Sequence, residues 1–341
     1  MKVSRRLMIA VAGVAALATA GAILAAGSGN AAPQASFKGA IVTDTAGLND
    51  RSFNHLANLG RLKAGKDLKI QTRAFISKTT SDYLPNLVAA GQGGYNAVVA
   101  NGYKLADAMD TVALKFPNAQ WAIVDFPWVL LKHKPKNATG LTFKSEQSGY
   151  LVGYLAGLMT KKEGGKQVIS TIGGEDLPSV ENWMAGYRAG AIKANPKIKV
   201  LIAFSGAFPP SSAPKCKEIA LKHIAQGAHV IFPVAGGCSL GAHDAAKEKG
   251  LWSIGIDADQ SYLGPFILTS GTKSVDLAVY TFIKGVKNGT FKGGTDYVGD
   301  VKNGGQSVGK ISPKVPKAFI AQMNAIKKQI IAGKVKIPAK L

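Results

Sequence analysis

At 341 residues the chain exceeds one ordinary domain and suits two of average size, each with its own core. Its net charge of +22 favours an anionic neighbour, but the basic residues are scattered rather than clustered with aromatics, which argues against nucleic acid. The five histidines show no metal-ligand spacing and no Gly-x-Ser-x-Gly elbow occurs, which argues against a metalloenzyme or an α/β-hydrolase.

The chain opens on Lys2, Arg5 and Arg6, followed by an apolar Ala/Gly-rich run over residues 7–26 and small residues at Ala31 and Ala32. That is the pattern of an export signal over residues 1–32. The run approaches the roughly 20 residues of a spanning helix, so an uncleaved N-terminal anchor is the alternative. Arg5 and Arg6 before Leu7 also resemble a twin-arginine export signal, which leaves two export routes open. No cysteine precedes Cys216, so nothing supports lipid attachment at a cleavage site. The expected location is the periplasm or the extracellular face of the cell envelope. Removing the leader, with its three basic and no acidic residues, leaves +19, a charge suited to envelope polyanions or simply to solubility.

Beyond the leader, short apolar runs alternate with helical patterns. Strands are expected over residues 39–42, 70–75, 97–100, 121–125, 141–143, 168–172, 200–204, 229–234 and 253–256. Helices are expected over 52–64, 83–91, 146–159, 180–194, 213–226 and 240–249, and an amphipathic one over 316–332 closes the chain. Such alternation predicts parallel α/β sheets. Nine strands are too many for one mononucleotide-binding half, so two doubly wound halves are expected, dividing near 137–143 after the Pro- and Lys-containing stretch 132–136. Each half then presents its ligand-facing loops at the carboxyl ends of its strands.

The first candidate segment is Asp44-Thr45-Ala46-Gly47-Leu48-Asn49-Asp50-Arg51-Ser52-Phe53-Asn54-His55, directly after the first strand. Asn49 or Asp50 is placed to cap the first helix and Gly47 to make a tight turn. Phe53 and Asn54 then stand in the first turn, a flat apolar face beside an amide that donates and accepts, which suits a heteroaromatic base; Phe53 in the core and Asn54 in solvent is the alternative. The strand ending in Asp257-Ala258-Asp259-Gln260 offers carboxylates to sugar hydroxyls. Lys273, expected at a helix start where a cation is disfavoured, calls for a ligand or an Asp partner unless it is exposed. The strand over 229–234 runs into Ala235-Gly236-Gly237-Cys238, where backbone amides can approach a ligand, although neither the Walker nor the dinucleotide spacing is met. Asp125 ends a strand, and Phe208, in a Pro/Ser-rich loop, is placed to stack opposite Phe53. Cys216 and Cys238, the only cysteines, are either one disulfide or two free thiols.

Further blocks follow in order: Gly102-Tyr103 with Asp107-Ala108, the run 121–125, Gly149-Tyr150-Leu151-Val152-Gly153-Tyr154-Leu155-Ala156, and Gly173-Gly174 with Gly186-Tyr187. Together with the segments above they resemble the basic membrane protein family, whose members include purine nucleoside receptors of ABC importers. The resemblance covers nearly the whole chain beyond the leader. It implies a type I periplasmic-binding-protein fold, two doubly wound α/β lobes joined by a hinge. The N-terminal lobe would comprise residues 37–142 and 273–290, and the C-terminal lobe 143–270 and 291–341. It further implies a base held between Phe53 and Phe208, with its edge read by Asn54 and Asp125. The ribose would be held by Gly237, Asp257 and Lys273. Ala46 and Asn49 depart from the family's usual Gly and Asp, and Cys238-Ser239 replaces a usual Thr-Gly, which bears on the ribose contacts.

The function so implied is capture of a nucleoside, purine by preference, and its delivery to an ABC permease by a monomer, with no cofactor, no metal and no nucleic acid. The same fold holding a non-nucleoside ligand, or presenting ligand to a membrane sensor, is the alternative. A nucleoside-processing enzyme is the rival class, but it requires a cluster of Asp ligands for a cation, and Asp257 and Asp259 are too few.

Overall fold

The computed structural model describes residues 37–341, so the export signal expected over residues 1–32 lies outside the described residues. The first half supplies strands β1 (Lys38–Thr43), β2 (Gln71–Phe75), β3 (Ala97–Asn101), β4 (Gln120–Val124) and β5 (Ala138–Phe143), with helices α1 (Phe53–Leu68), α2 (Tyr83–Gln92) and α3 (Ala106–Lys115) between them. Helix α4 (Ser145–Glu163) leads into β6 (Val168–Gly173), β7 (Lys199–Phe204), β8 (Ala228–Val234), β9 (Trp252–Asp257) and β10 (Ile267–Lys273), interleaved with α5 (Pro178–Ala194), α6 (Ala213–Ala225) and α7 (Ser239–Glu248). Helix α8 (Val275–Lys287), strands β11 (Asp296–Gly299) and β12 (Gln306–Val308) and helix α9 (Lys317–Ile331) complete the chain.

The strands form two six-stranded sheets, ordered β11-β5-β4-β3-β1-β2 and β12-β10-β9-β8-β6-β7. Apart from the antiparallel β10/β12 pair, every pairing is parallel. The central strands β1, β3, β4, β6, β8 and β9 are buried on both faces, which is why they read as largely apolar runs. Period-2 geometry sorts their side chains: Ala40, Val42, Val98 and Ala100 join α2 and α3 on one face, while Ile41, Ala97 and Val99 meet α1 and α8 on the other. In both sheets the chain reverses direction of growth beside the first strand, β1 or β6, and a crevice opens there at the carboxyl ends.

The chain passes between the sheets three times: after β5, after β10, and between β11 and β12. These passages are tied to one another, Lys144 N–H donating to Gly299 O at 2.8 Å and Ser274 N–H to Gly305 O at 3.0 Å. Helix α4 then packs on α5 with backbones in near contact. A Cβ at Gly149, Gly153, Gly186 or Gly190 would lie 2.4, 2.1, 2.1 and 2.0 Å from a carbonyl oxygen of the facing helix, so these positions exclude any larger residue.

The structure departs from the sequence expectation in three places. Strands β10, β11 and β12 and helices α3 and α8 were not among the expected elements. Within β10, Thr269-Ser270-Gly271-Thr272 resembles a loop, but the Ser270 hydroxyl accepts from Gln260 N–H at 3.0 Å and the Thr269 hydroxyl donates to Gly309 O at 3.3 Å, which makes burial of these residues tolerable. Residues 291–341 do not all join the second half, because β11 pairs with β5 in the first sheet. Lys273 ends β10 in the second sheet instead of opening the return segment.

Candidate functional site

The turn before α1 builds one side of the crevice. Asp50 is buried, and its carboxylate accepts from the N–H groups of Ser52, Asn54 and His55 at 3.0, 2.7 and 3.0 Å. Of the two caps considered, Asp50 is therefore the one that satisfies the orphan donors of α1. Burial pushes its carboxyl up to about 6 against the pull of these three donors. Because Asp50 does this work, the Ser52 hydroxyl is released to reach Asp257 Oδ2 in the other half, at 2.5 Å.

Opposite, Lys273 is only 3% exposed and stands among two carboxylates and two rings. Its Nζ lies 2.8 and 3.1 Å from the oxygens of Asp125 and 3.7 Å from Asp257 Oδ1, with the Phe53 and Phe143 ring centres at 4.7 and 5.5 Å. The sequence asked for a ligand or an Asp partner here, and two Asp partners are present. Burial pulls the Lys273 ammonium down, but the two carboxylates outweigh it and the net shift is upward, so the cation persists. Burial likewise raises Asp125, with Lys273 opposing. Asp125 follows β4 and Asp257 ends β9, equivalent places in the two strand orders, and both take positive φ, 67° and 60°.

Between these walls lies a cleft lined by residues of both halves. Five of the seven expected ligand residues line it: Phe53, Asp125, Phe208, Asp257 and Lys273. Asn54 does not. It is fully buried behind Asp44, its Nδ2 donating to Asp44 Oδ1 at 2.6 Å and its Oδ1 accepting from Asn101 at 2.8 Å. Gly237 is also displaced, packed so that a Cβ would meet Pro210 at 2.5 Å, and the neighbouring Gly236 faces the cleft instead. Phe208 owes its place to Gly174, where a Cβ would strike the ring at 2.3 Å.

Asp44, Tyr83, Tyr103, Lys104 and Trp183 also line the cleft, beyond the residues expected from sequence. One signal was available for Asp44, which directly follows β1 and is therefore a strand-end carboxylate of the same kind as Asp125 and Asp257. Burial pushes it up to about 6, reinforced by Asp50 and Asp125 and opposed by the amides of Asn54 and Ala46. Lys104 and Glu175, one from each half, pair across the mouth at 2.9 Å. Cys216 and Cys238 form a disulfide that ties α6 to the turn carrying Gly236, Cα to Cα 5.8 Å.

Chemically, the cleft offers aromatic faces, the carboxylates of Asp44, Asp50, Asp125 and Asp257, and the ammoniums of Lys104 and Lys273. Among the described residues no group of His, Cys, Asp and Glu is arranged to hold a metal ion, and no helix is long and apolar enough to cross a membrane.

The chain is similar to known proteins over nearly all of its described residues. A family model described as "ABC transporter substrate-binding protein PnrA-like" matches residues 37–340. The chain is 34% identical over 360 aligned positions to the ABC transporter nucleoside-binding protein BmpA of Lactococcus lactis subsp. cremoris, covering 97% of each. It is 32% identical over 294 positions to basic membrane protein A1 of Borrelia garinii subsp. bavariensis, covering 85% of each. In fold it is similar to an ABC transporter solute-binding protein from Aeropyrum pernix, with a TM-score of 0.80 at 24% identity over 89% of this chain and 93% of that one.

Proposed function

The chain belongs to the PnrA-like family of ABC transporter substrate-binding proteins, and on that premise we propose that its cleft captures a nucleoside for a membrane permease. Proteins of this kind work outside the cytoplasm and bind without changing bonds. The observation that carries the nucleoside reading is the buried Asp125–Lys273–Asp257 array beside Phe53, within a cleft that Phe208 also lines. A ribose diol both donates and accepts, so it fits a carboxylate next to an ammonium; a flat base fits between aromatic faces, with Asp44 and Asp125 accepting from its edge. Stacking contributes about 1–3 kcal/mol per base, and each hydrogen bond to a charged group about 1.5–3. A few such contacts reach the roughly 8 kcal/mol of micromolar binding.

Delivery requires the halves to close on the ligand. Contacts that already bridge them include Lys273 to Asp125 at 2.8 Å, Lys104 to Glu175 at 2.9 Å, the Ser52 hydroxyl to Asp257 at 2.5 Å, and Gln260 Nε2 to Arg51 O at 3.3 Å. A nucleoside touching both halves adds to these only in the closed state and so favours it.

Calorimetry against inosine, guanosine, adenosine and uridine tests the reading. Micromolar or tighter binding of at least one is expected; no heat with any of them would remove the ligand assignment and leave the fold untouched. Asp257→Ala should weaken nucleosides far more than free bases, and equal losses for both would remove Asp257 from the ribose site.

A further inference from the structure

Behind the cleft runs a chain of buried amides that no ligand can touch. Asn101, the last residue of β3, is buried, and its Nδ2 donates to Asn54 Oδ1 at 2.8 Å. Asn54 Nδ2 donates onward to Asp44 Oδ1 at 2.6 Å, and the Ala46 N–H reaches that same oxygen at 2.9 Å. The inner oxygen of Asp44 is thus fully engaged, whereas its Oδ2 has no protein partner among the described residues and Asp44 lines the cleft. At the far end Asn101 Oδ1 is buried and unpartnered, a cost in stability that an apolar residue would not carry.

Direction matters in such a chain, because a carboxamide presents an acceptor on one side and donors on the other. With Asn101 donating, the Asn54 oxygen is held inward and its N–H outward. Turned over, Asn54 would set its oxygen against the Asp44 carboxylate, acceptor against acceptor.

We propose that Asn101 is a positioning residue for ligand recognition: by fixing the Asn54 carboxamide it makes the inner oxygen of Asp44 an acceptor only, so that the outer oxygen, facing the ligand, is the single atom of Asp44 that gains or loses a proton. The proposal rests on the nucleoside reading for its consequence. Ionised, Asp44 selects a base edge that presents N–H, such as the N1–H of a 6-oxopurine, and disfavours one that presents a ring-nitrogen lone pair. Protonated, it accommodates either.

Burial, which pushes Asp44 up to about 6, brings this exchange within a mild acid range. The groups around it are Asp50 before α1, Asp125 after β4, Tyr83 opening α2 and Lys104 after β3, with Lys273 and Asp257 across the cleft. The two first-named carboxylates push Asp44 further up. Tyr83 is itself pushed up to about 12 and stays neutral, while Lys273 is engaged by Asp125 and Asp257 and Lys104 by Glu175.

The test begins with NMR titration of the unliganded wild-type protein, which depends on no variant and no ligand. The side-chain amide signals of Asn54 and Asn101 should shift with the same midpoint as the Asp44 carboxyl carbon, and an Asn101 amide indifferent to that titration overturns the proposal. In Asn101→Leu the Asp44 midpoint should rise by about one unit, as an oriented donor is lost. The ratio of inosine to adenosine affinity should collapse by about tenfold, the equivalent of one such hydrogen bond. If every nucleoside weakens by one common factor, Asn101 is merely structural and the proposal falls. If the wild type binds no nucleoside, the functional reading falls while the titration still decides the relay.

Discussion

Asp125 follows β4 in the first sheet and Asp257 ends β9 in the second, at matching places and with the same left-handed backbone, yet the two halves surround them differently. The first half adds two further carboxylates, Asp44 and Asp50, each pushed up to about 6 by burial. The second adds Lys273, the only buried Lys or Arg among the described residues, and a disulfide beside the cleft. The buried carboxylates of the first half thus have no buried cation of their own and meet one only in the second half. Closure of the cleft is then favoured by charge as well as by ligand.

Removing that counter-charge should have the largest effect. Lys273→Met leaves Asp125 and Asp257 buried without a cation and should cost about 3–5 kcal/mol of stability, with nucleoside binding lost. Denaturation of the variant within about 1 kcal/mol of wild type, a margin small against that cost, would break the charge argument. Next comes the disulfide, which closes a separation of 22 residues in the second half alone. The pair Cys216→Ser with Cys238→Ser should lose about 3 kcal/mol. Hydrogen exchange should rise around α6 and the turn after β8, and a rise spread evenly over both halves would contradict a local staple.

Acid should act on the halves in opposite senses. Between about pH 4 and 6 the folded chain holds protons on Asp44 and Asp50 that the unfolded chain has released, so these groups make stability rise as pH falls. His243, buried in the second half and lowered to about 4, is neutral when folded over a range where it is protonated when unfolded, so it makes stability fall as pH falls. Asp50→Asn should remove up to about 1.4 kcal/mol per pH unit of acid stabilisation in that window, and His243→Gln should add a comparable amount. Stability curves that keep the wild-type slope in both variants would remove the contrast. The smallest effect belongs to Lys104→Ala. Lys104 and Glu175 are both partly solvent-exposed, so stability should change by no more than about 1 kcal/mol. Stopped-flow release should nevertheless quicken a few-fold, because the pair spans the mouth.

Much of this contrast is legible in the residues themselves. Asp125 and Asp257 stand out because each follows an apolar run, and Phe53 because it follows a capping segment. Local pattern fails where non-local partners decide. Strand β10 contains Thr269, Ser270 and Lys273, whose burial is made tolerable by the non-local partners Gln260, Gly309, Asp125 and Asp257. Strands β11 and β12 are short and exist through pairing with β5 and β10, so no run of their own announces them. Asn54 was expected at the base edge because its place in the first turn is right; its burial behind Asp44 depends on Asn101, 47 residues away. Gly237 and Gly236 differ by one residue in a tight turn, a distinction that backbone direction makes and composition does not.

A crystal structure of the protein with bound inosine tests the two-sided site most directly. The base should lie between Phe53 and Phe208, with the ribose hydroxyls within hydrogen-bond distance of Asp257 and Lys273 and the base edge at Asp44 or Asp125. Inosine held by one half alone, or seated away from the Asp125–Lys273–Asp257 array, would contradict it.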